Sequence, residues 1–331
     1  MKHLFLIHSH TTFLTSLGIL NQISLKPEDV AIVYIRNYRN DIIPMPYKSL
    51  DLSWAFMYPS IKKFFRFNHF IKKVDGLMDE LVASDKYIMY ASFPGNVRLY
   101  QVIYSNFKCV GFNYIQEGAL IFKKVFEKDK LPLKYRAFDL LLRAFTNNRM
   151  WCSHNKWTVP PFNASKLYRQ PECFALDKNF FKYTGYITNE IEWPSFDIVK
   201  SDYAINPQIP CFIFESSVEM GVIEDDIYME CVEELIRRKG EKSNYVKFHP
   251  YQSEFNKKRI MEMYKKGDYE VEELPMNVPF ELYLSSYKGM KVYGFMSSLV
   301  VFAEQLGHIT YSMENDLLKK SAKYRSFRNS L

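Results

Sequence analysis

The stretch YVKFHP (245–250) alternates apolar and polar residues as a strand does, then stops on His249 and Pro250. Proline has no backbone donor and fixes its own φ, so ladder pairing ends where it sits. His249 is thereby expected at a strand's carboxyl end, where open α/β sheets bind ligands; the alternative is a capped loop histidine. Further on, KVYGFMSSLVVFAEQLG (291–307) reads as a strand ending near Gly294, then Ser297 and Ser298, then a strongly apolar helix. Hydroxyls and free amides at a helix's positive end suit an anion such as a phosphate, although a serine there also serves as an ordinary N-cap. In VPFELYL, Glu281 stands one turn into a short helix. It could accept two hydrogen bonds from a vicinal diol such as a ribose, or simply complement the helix dipole. In YIQEGAL, Glu117 ends a buried strand and Gly118 permits a tight turn. A carboxylate there could act as general base or lie on a surface loop.

Other chemistries are excluded. Glycine is 12 of 331 residues, with neither GxGxxG nor a P-loop, so phosphate must be held by other means. No two aspartates are spaced by one residue, and EDD (224–226) reads as acids at a helix start. The five cysteines, 109, 152, 173, 211 and 231, are dispersed without CxxC, as reduced thiols in a cytoplasmic protein would be. HSH (8–10) follows the first strand; His8 and His10 are candidates for lining a cleft.

The elements that would position these residues alternate. Strands are expected at 2–7, 31–36, 86–92 and 108–115, with helices at 13–23 and 95–106. A second alternating unit follows, with strands at 211–216, 244–249, 269–274 and 291–295. Its helices are expected at 225–239, 253–266, 279–287 and 298–306. Such alternation argues for parallel sheets with crossovers. Residues 155–210 dissolve into Pro, Asn and short strands such as KLYRQ. The expectation is an α/β chain of two Rossmann-like domains facing a central cleft.

QEG (116–118), HP (249–250) and SS (297–298), with Glu281 between the last two, together resemble the motif set of bacterial CMP-sialic acid-dependent sialyltransferases. That group has an acidic-acidic-Gly motif, an HP and a Ser/Thr-Ser pair; here Gln116 stands where the first acidic residue would be. The resemblance spans about half the chain and implies a GT-B enzyme. In that picture 1–175 is an acceptor-side domain carrying the base, 176–208 a linker, and 209–312 the CMP-sugar domain. Residues 313–331 would be a basic tail helix crossing back to the first domain. Glu117 would deprotonate the acceptor, and His249 would stabilise or protonate the leaving phosphate. Pro250, Gly294, Ser297 and Ser298 would bind the donor, and Glu281 its ribose. Gln116 and Gly118 would line the cleft with His8 and His10. The implied reaction is inverting transfer of N-acetylneuraminic acid from CMP-Neu5Ac to a galactose or N-acetylgalactosamine hydroxyl. Its acceptor would be a lipid-linked glycan of the bacterial surface (O-antigen, lipooligosaccharide or capsule), with no cofactor and no metal.

Alternatives are a GT-B enzyme using CMP-Kdo or a UDP- or GDP-sugar, and a non-catalytic nucleotide-binding module on a membrane. The formal charge of +7 suits an anionic ligand or membrane and does not indicate nucleic acid. IKKFFRFNHFIKK (61–73) and KYRAFDLLLRAF (134–145) interleave basic and aromatic residues. They read either as amphipathic faces packed on a core or as docking elements for an inner-membrane surface. No signal peptide or spanning segment is expected, and the protein is expected in the cytoplasm, peripheral on the membrane's inner face.

Overall fold

The computed structural model describes residues 1–39, 43, 45–56, 66–92, 97–118, 133–152, 171–182, 187–194 and 202–330. The chain divides into two compact units, Met1–Trp193 and Pro194–Leu331.

In the first unit the strands are β1 (Lys2–Ile7), β2 (Val30–Tyr34), β3 (Lys48–Asp51), β4 (Tyr87–Ala91), β5 (Cys109–Ile115), β6 (Cys173–Ala175) and β7 (Thr188–Glu190). They form one sheet in the order β3-β2-β1-β4-β5-β6-β7, parallel throughout. The chain lays strands outward from β1 to one side, then returns to β4 and builds the other side, so the switch point lies between β1 and β4. Leu4, Phe5, Leu6 and Ile7 of β1 are all fully buried, as is every residue of β4 and β5. Both faces of these strands are covered, hence continuous apolar runs rather than alternation. The covering helices are α1 (His10–Gln22), α2 (Ser53–Phe56), α3 (Phe67–Val82), α4 (Arg98–Ser105) and α5 (Leu133–Phe145). Ser9 caps α1 in a capping box with Thr12, which sets where the chain turns after His8. On α5, Leu142 and Asp139 are buried while Leu133, Leu140 and Leu141 are 81%, 69% and 54% exposed.

β7 falls within 176–208, the stretch expected as a linker, and pairs with β6 as the sheet's edge. Its residues Thr188, Asn189 and Glu190 carry no apolar pattern, so nothing in the sequence marks them as a strand. The expected strand KLYRQ lies outside the described residues, as do residues 95–96 of the helix expected at 95–106 and residues 61–65 of the stretch 61–73.

The second unit holds β8 (Cys211–Phe214), α6 (Asp225–Lys239), β9 (Ser243–Phe248), α7 (Glu254–Lys266), β10 (Glu270–Glu273), α8 (Phe280–Ser286), β11 (Lys291–Gly294), α9 (Ser298–Gln305) and β12 (Ile309–Ser312). Helices α10 (Glu314–Lys320) and α11 (Ala322–Ser330) close the chain. Its sheet runs β10-β9-β8-β11-β12, also parallel, with the switch between β8 and β11. Phe212, Phe214, Val246, Phe248 and Tyr264 fill its core, which Leu317 of α10 and Tyr324 of α11 join. Two parallel Rossmann-like units of this kind are the GT-B fold.

Candidate functional site

In the second unit β9 ends at Phe248 and the next residue is His249, whose amide still donates to Phe214 of β8 (2.9 Å). Pro250 then ends the pairing, and the chain turns through Tyr251 and Gln252 into α7, capped by Ser253. The Tyr251 amide donates to His249 Nδ1 at 3.1 Å. An amide N–H cannot accept, so Nδ1 is bare and the ring proton sits on Nε2. Partial burial of the ring holds its pKa below the ordinary histidine value, with Glu219's charge pulling it back. His249 is therefore a neutral N–H donor near pH 7. Ser216, which follows β8 and is buried, places Oγ 3.0 Å from the same Nδ1. β8 borders the switch point, so Ser216 joins the central crevice to His249.

Beyond the switch, β11 ends at Gly294. A Cβ there would lie 2.8 Å from the Ile213 carbonyl of β8 and 3.2 Å from Val300 of α9, so only glycine lets both approach. Ser297 is the N-cap of α9, its Oγ accepting from the Leu299 amide at 3.2 Å. Ser298 opens the helix, and both serines are half-buried. Ser297 thus serves as the cap of α9, its Oγ taking the Leu299 amide and its carbonyl the Val300 amide at 3.1 Å, and the positive end of the helix lies at the end of β11.

Glu281 of α8 is buried, and its charge acts on Lys247 of β9. Burial pushes the Lys247 ammonium down to about 8, against the opposing pull of Glu281. Lys247 also donates to the carbonyls of Pro275 and Val278, the latter at 2.9 Å. Glu215, just after β8, accepts from Ser217 (3.0 Å), and burial raises its carboxyl to about 7.

In the first unit the strand-end side chains converge across the sheet. Glu117, two residues past β5, has Oε1 2.6 Å from His8 Nε2. His8 follows β1 directly, and its own amide donates to Thr12 Oγ1 (3.1 Å), fixing the backbone to α1. Its Nδ1 lies 3.2 Å from the Tyr100 hydroxyl of α4. Arg36, past the end of β2, approaches Glu117 Oε1 at 3.5 Å and stacks over Phe56 at 5.2 Å. Arg36 and Asn37 both take positive φ, 60° and 57°, a conformation that costs of order 1–3 kcal/mol for a non-glycine residue and clusters at functional sites. Gly118, at φ 72°, supplies the turn after the carboxylate without that cost. Gln116 is buried: its carboxamide donates to the Gly118 carbonyl (2.7 Å) and accepts from the Asp177 amide (3.0 Å), so it fixes the loop. His10 bonds Tyr38 (3.2 Å) as the first residue of α1.

The sequence-predicted residues thus fall into two groups: Glu117 with His8 in one, and His249, Ser297 and Ser298 past the ends of β9 and β11, the two strands that flank β8, in the other. Ser216, Lys247, Arg36 and Tyr100 were not anticipated. For Ser216 a signal existed, since CFIFESS repeats the strand-then-double-serine pattern read at 297–298. Among the described residues no three His, Cys, Asp or Glu side chains gather as a metal site, and no helix is long and apolar enough to cross a membrane.

No protein-family model matches the chain, and no curated protein matches it by sequence. Solved structures do. The 2,6-sialyltransferase of Photobacterium sp. JT-ISH-224, in complex with CMP and lactose, superposes with a TM-score of 0.52 at 13% identity, over 98% of this chain and 75% of that one. A sialyltransferase from Photobacterium damselae, over the part corresponding to its GT-B domain, gives 0.50 at 13% identity, covering 100% and 97%. At such identity the likeness establishes the fold.

Proposed function

We propose that the protein is an inverting sialyltransferase that moves N-acetylneuraminic acid from CMP-Neu5Ac to a galactose or N-acetylgalactosamine hydroxyl of a bacterial surface glycan. The observation that carries this reading is the division of labour between the units. One holds a carboxylate fixed by His8 and Arg36, and the other a neutral imidazole N–H and a capped helix start at two strand ends of one sheet.

In the reaction so assigned, the acceptor oxygen forms a bond to the anomeric carbon while the bond from that carbon to the CMP phosphate oxygen breaks. The electron pair leaves with CMP, and the hydroxyl proton passes to Glu117. The transition state resembles an oxocarbenium ion, so charge grows on the departing phosphate. His249 Nε2–H, the Ser298 hydroxyl and the positive end of the α9 dipole stabilise that charge as preorganised groups. Because a monophosphate is neutralised by such donors, the reading needs no metal. Glu281 is assigned to the ribose diol, and Pro250 and Gly294 to shaping the donor pocket. The motif order QEG, HP, SS supports the donor choice over CMP-Kdo, UDP- or GDP-sugars, and the fold is compatible with it.

The test is purified protein with CMP-Neu5Ac and a panel of galactosides, following CMP release and acceptor mass. An acceptor heavier by one sialyl residue confirms the reading; absence of CMP binding, measured by calorimetry, overturns it.

The same reading places the protein in the cytoplasm, against the inner face of the membrane where a lipid-linked acceptor is found. The outward leucines of α5 support this, since residues 120–150 carry eight Lys or Arg against three Asp or Glu. An apolar helix face with cationic flanks is what an anionic bilayer binds. Co-sedimentation with vesicles containing phosphatidylglycerol, lost in Leu140→Glu/Leu141→Glu, is expected; equal sedimentation of that variant would remove α5 from the docking surface.

A further inference from the structure

Glu117 is held from behind by a residue that is itself held. The His8 side chain is fully buried, so hydration does not choose its tautomer. With Nε2 2.6 Å from Glu117 Oε1 and Nδ1 3.2 Å from the Tyr100 hydroxyl, two neutral arrangements satisfy both contacts. In one, Tyr100 donates to Nδ1, the proton is on Nε2, and Glu117 is an ionised acceptor. In the other, Nδ1–H donates to Tyr100, and Glu117 is protonated on Oε1 and donates to Nε2. The second disables a general base, because the carboxylate already carries the proton that it must take.

Two features favour the first. Tyr100 is fully buried, and burial together with the charge of Glu117 holds its phenol well above the ordinary tyrosine range. It therefore keeps its O–H, which is within reach of Nδ1. Arg36, whose guanidinium can only donate, lies 3.5 Å from the same Oε1, so a proton placed on Oε1 would face a cation. Among the described residues both contacts fall on Oε1, which leaves Oε2 for an incoming hydroxyl.

We propose that Tyr100 fixes His8 in the Nε2–H tautomer, and that His8 thereby holds Glu117 as a carboxylate whose Oε2 receives the acceptor's proton. His8 and Tyr100 are then positioning residues for the base, and this rests on Glu117 being that base.

The first measurement is independent of activity: two-bond proton–nitrogen correlation on protein labelled with ¹⁵N-histidine. His8 should show a protonated Nε2 and a bare Nδ1, and Tyr100→Phe should admit the other tautomer. A protonated Nδ1 in the wild type, or an unchanged spectrum in Tyr100→Phe, overturns the proposal. The second is kinetic. His8→Ala should lower kcat by about tenfold to a hundredfold, as loss of an orienting partner does, with the donor KM unchanged. His8→Gln, which keeps an N–H in reach of Oε1, should recover part of the loss. Full kcat in His8→Ala beside an inactive Glu117→Gln would sink the positioning role while the base stands. An active Glu117→Gln would sink the base itself, leaving the tautomer to the spectrum. Melting temperatures separate these losses from unfolding, with Tyr100→Phe as the milder variant.

Discussion

The two strand-end clusters sit at the same place in their respective sheets and are built by opposite means. In the second unit, the donors are neutral and locally made: a turn amide two residues on sets the tautomer of His249, and Ser297 caps the helix that it precedes. In the first, one carboxylate is wired to side chains at positions 8, 36 and 100, drawn from three other segments. Under the proposed reaction the contrast follows from the tasks. Stabilising a departing anion takes several donors of modest strength, and backbone geometry supplies them cheaply. A base must keep a single charge in a single protonation state, which only specific partners can enforce.

The comparison is broken most directly at its charged end. Glu117→Gln should lower kcat by about 10²–10⁴-fold, the range for a lost acid–base group, with CMP affinity unchanged by calorimetry. An equal loss of CMP binding would mean that the carboxylate belongs to the donor site. Next in size, His249→Ala should cost about 10²–10³ in kcat, as for a removed oxyanion donor. It should weaken CMP binding as well, and a defect confined to the acceptor KM would reverse the assignment of the two units. Ser216→Ala sharpens the picture. The Tyr251 amide still fixes the tautomer, so the loss should be about tenfold or less; a loss equal to that of His249→Ala would make Ser216 a direct ligand.

A smaller effect is read in stability. Glu215 is raised to about 7 in the folded state from 4.5, so the folded chain binds its proton more tightly than the unfolded one does. Its contribution is complete below about 4.5 and is lost as pH rises through about 7, at most about 3 kcal/mol. Glu215→Gln should flatten urea-denaturation stability across that window; an unchanged slope would mean that the carboxyl is hydrated. Smallest of all, a chelator should leave turnover unchanged under the metal-free reading, and a loss restored by added divalent ion would end it.

What the sequence disclosed follows the same division. Strands buried on both faces announced themselves as apolar runs, and the local motifs at 249–250 and 297–298 could be read because their geometry spans only a few residues. β7 could not, being three polar or half-exposed residues whose strand state comes from β6 alone. Of the first cluster, Glu117 was visible as a carboxylate after a strand, whereas His8 showed only as a histidine after another. Arg36 and Tyr100 carry no local mark, for their roles arise when β2 and α4 are brought beside β1 and β5. Ser216 was legible and passed over.

Gly294 has a consequence for how this protein tolerates change. Its missing side chain lets the Ile213 carbonyl and Val300 close over one point, and Val300 belongs to the helix that carries Ser298 and its amides. A single methyl added there would act as a wedge between sheet and helix, transmitted along α9 to Ser298, which the proposed reaction sets against the phosphate. Position 294 is in effect the gauge block against which the start of α9 is set, and drift at this one residue would be read out three and four residues away.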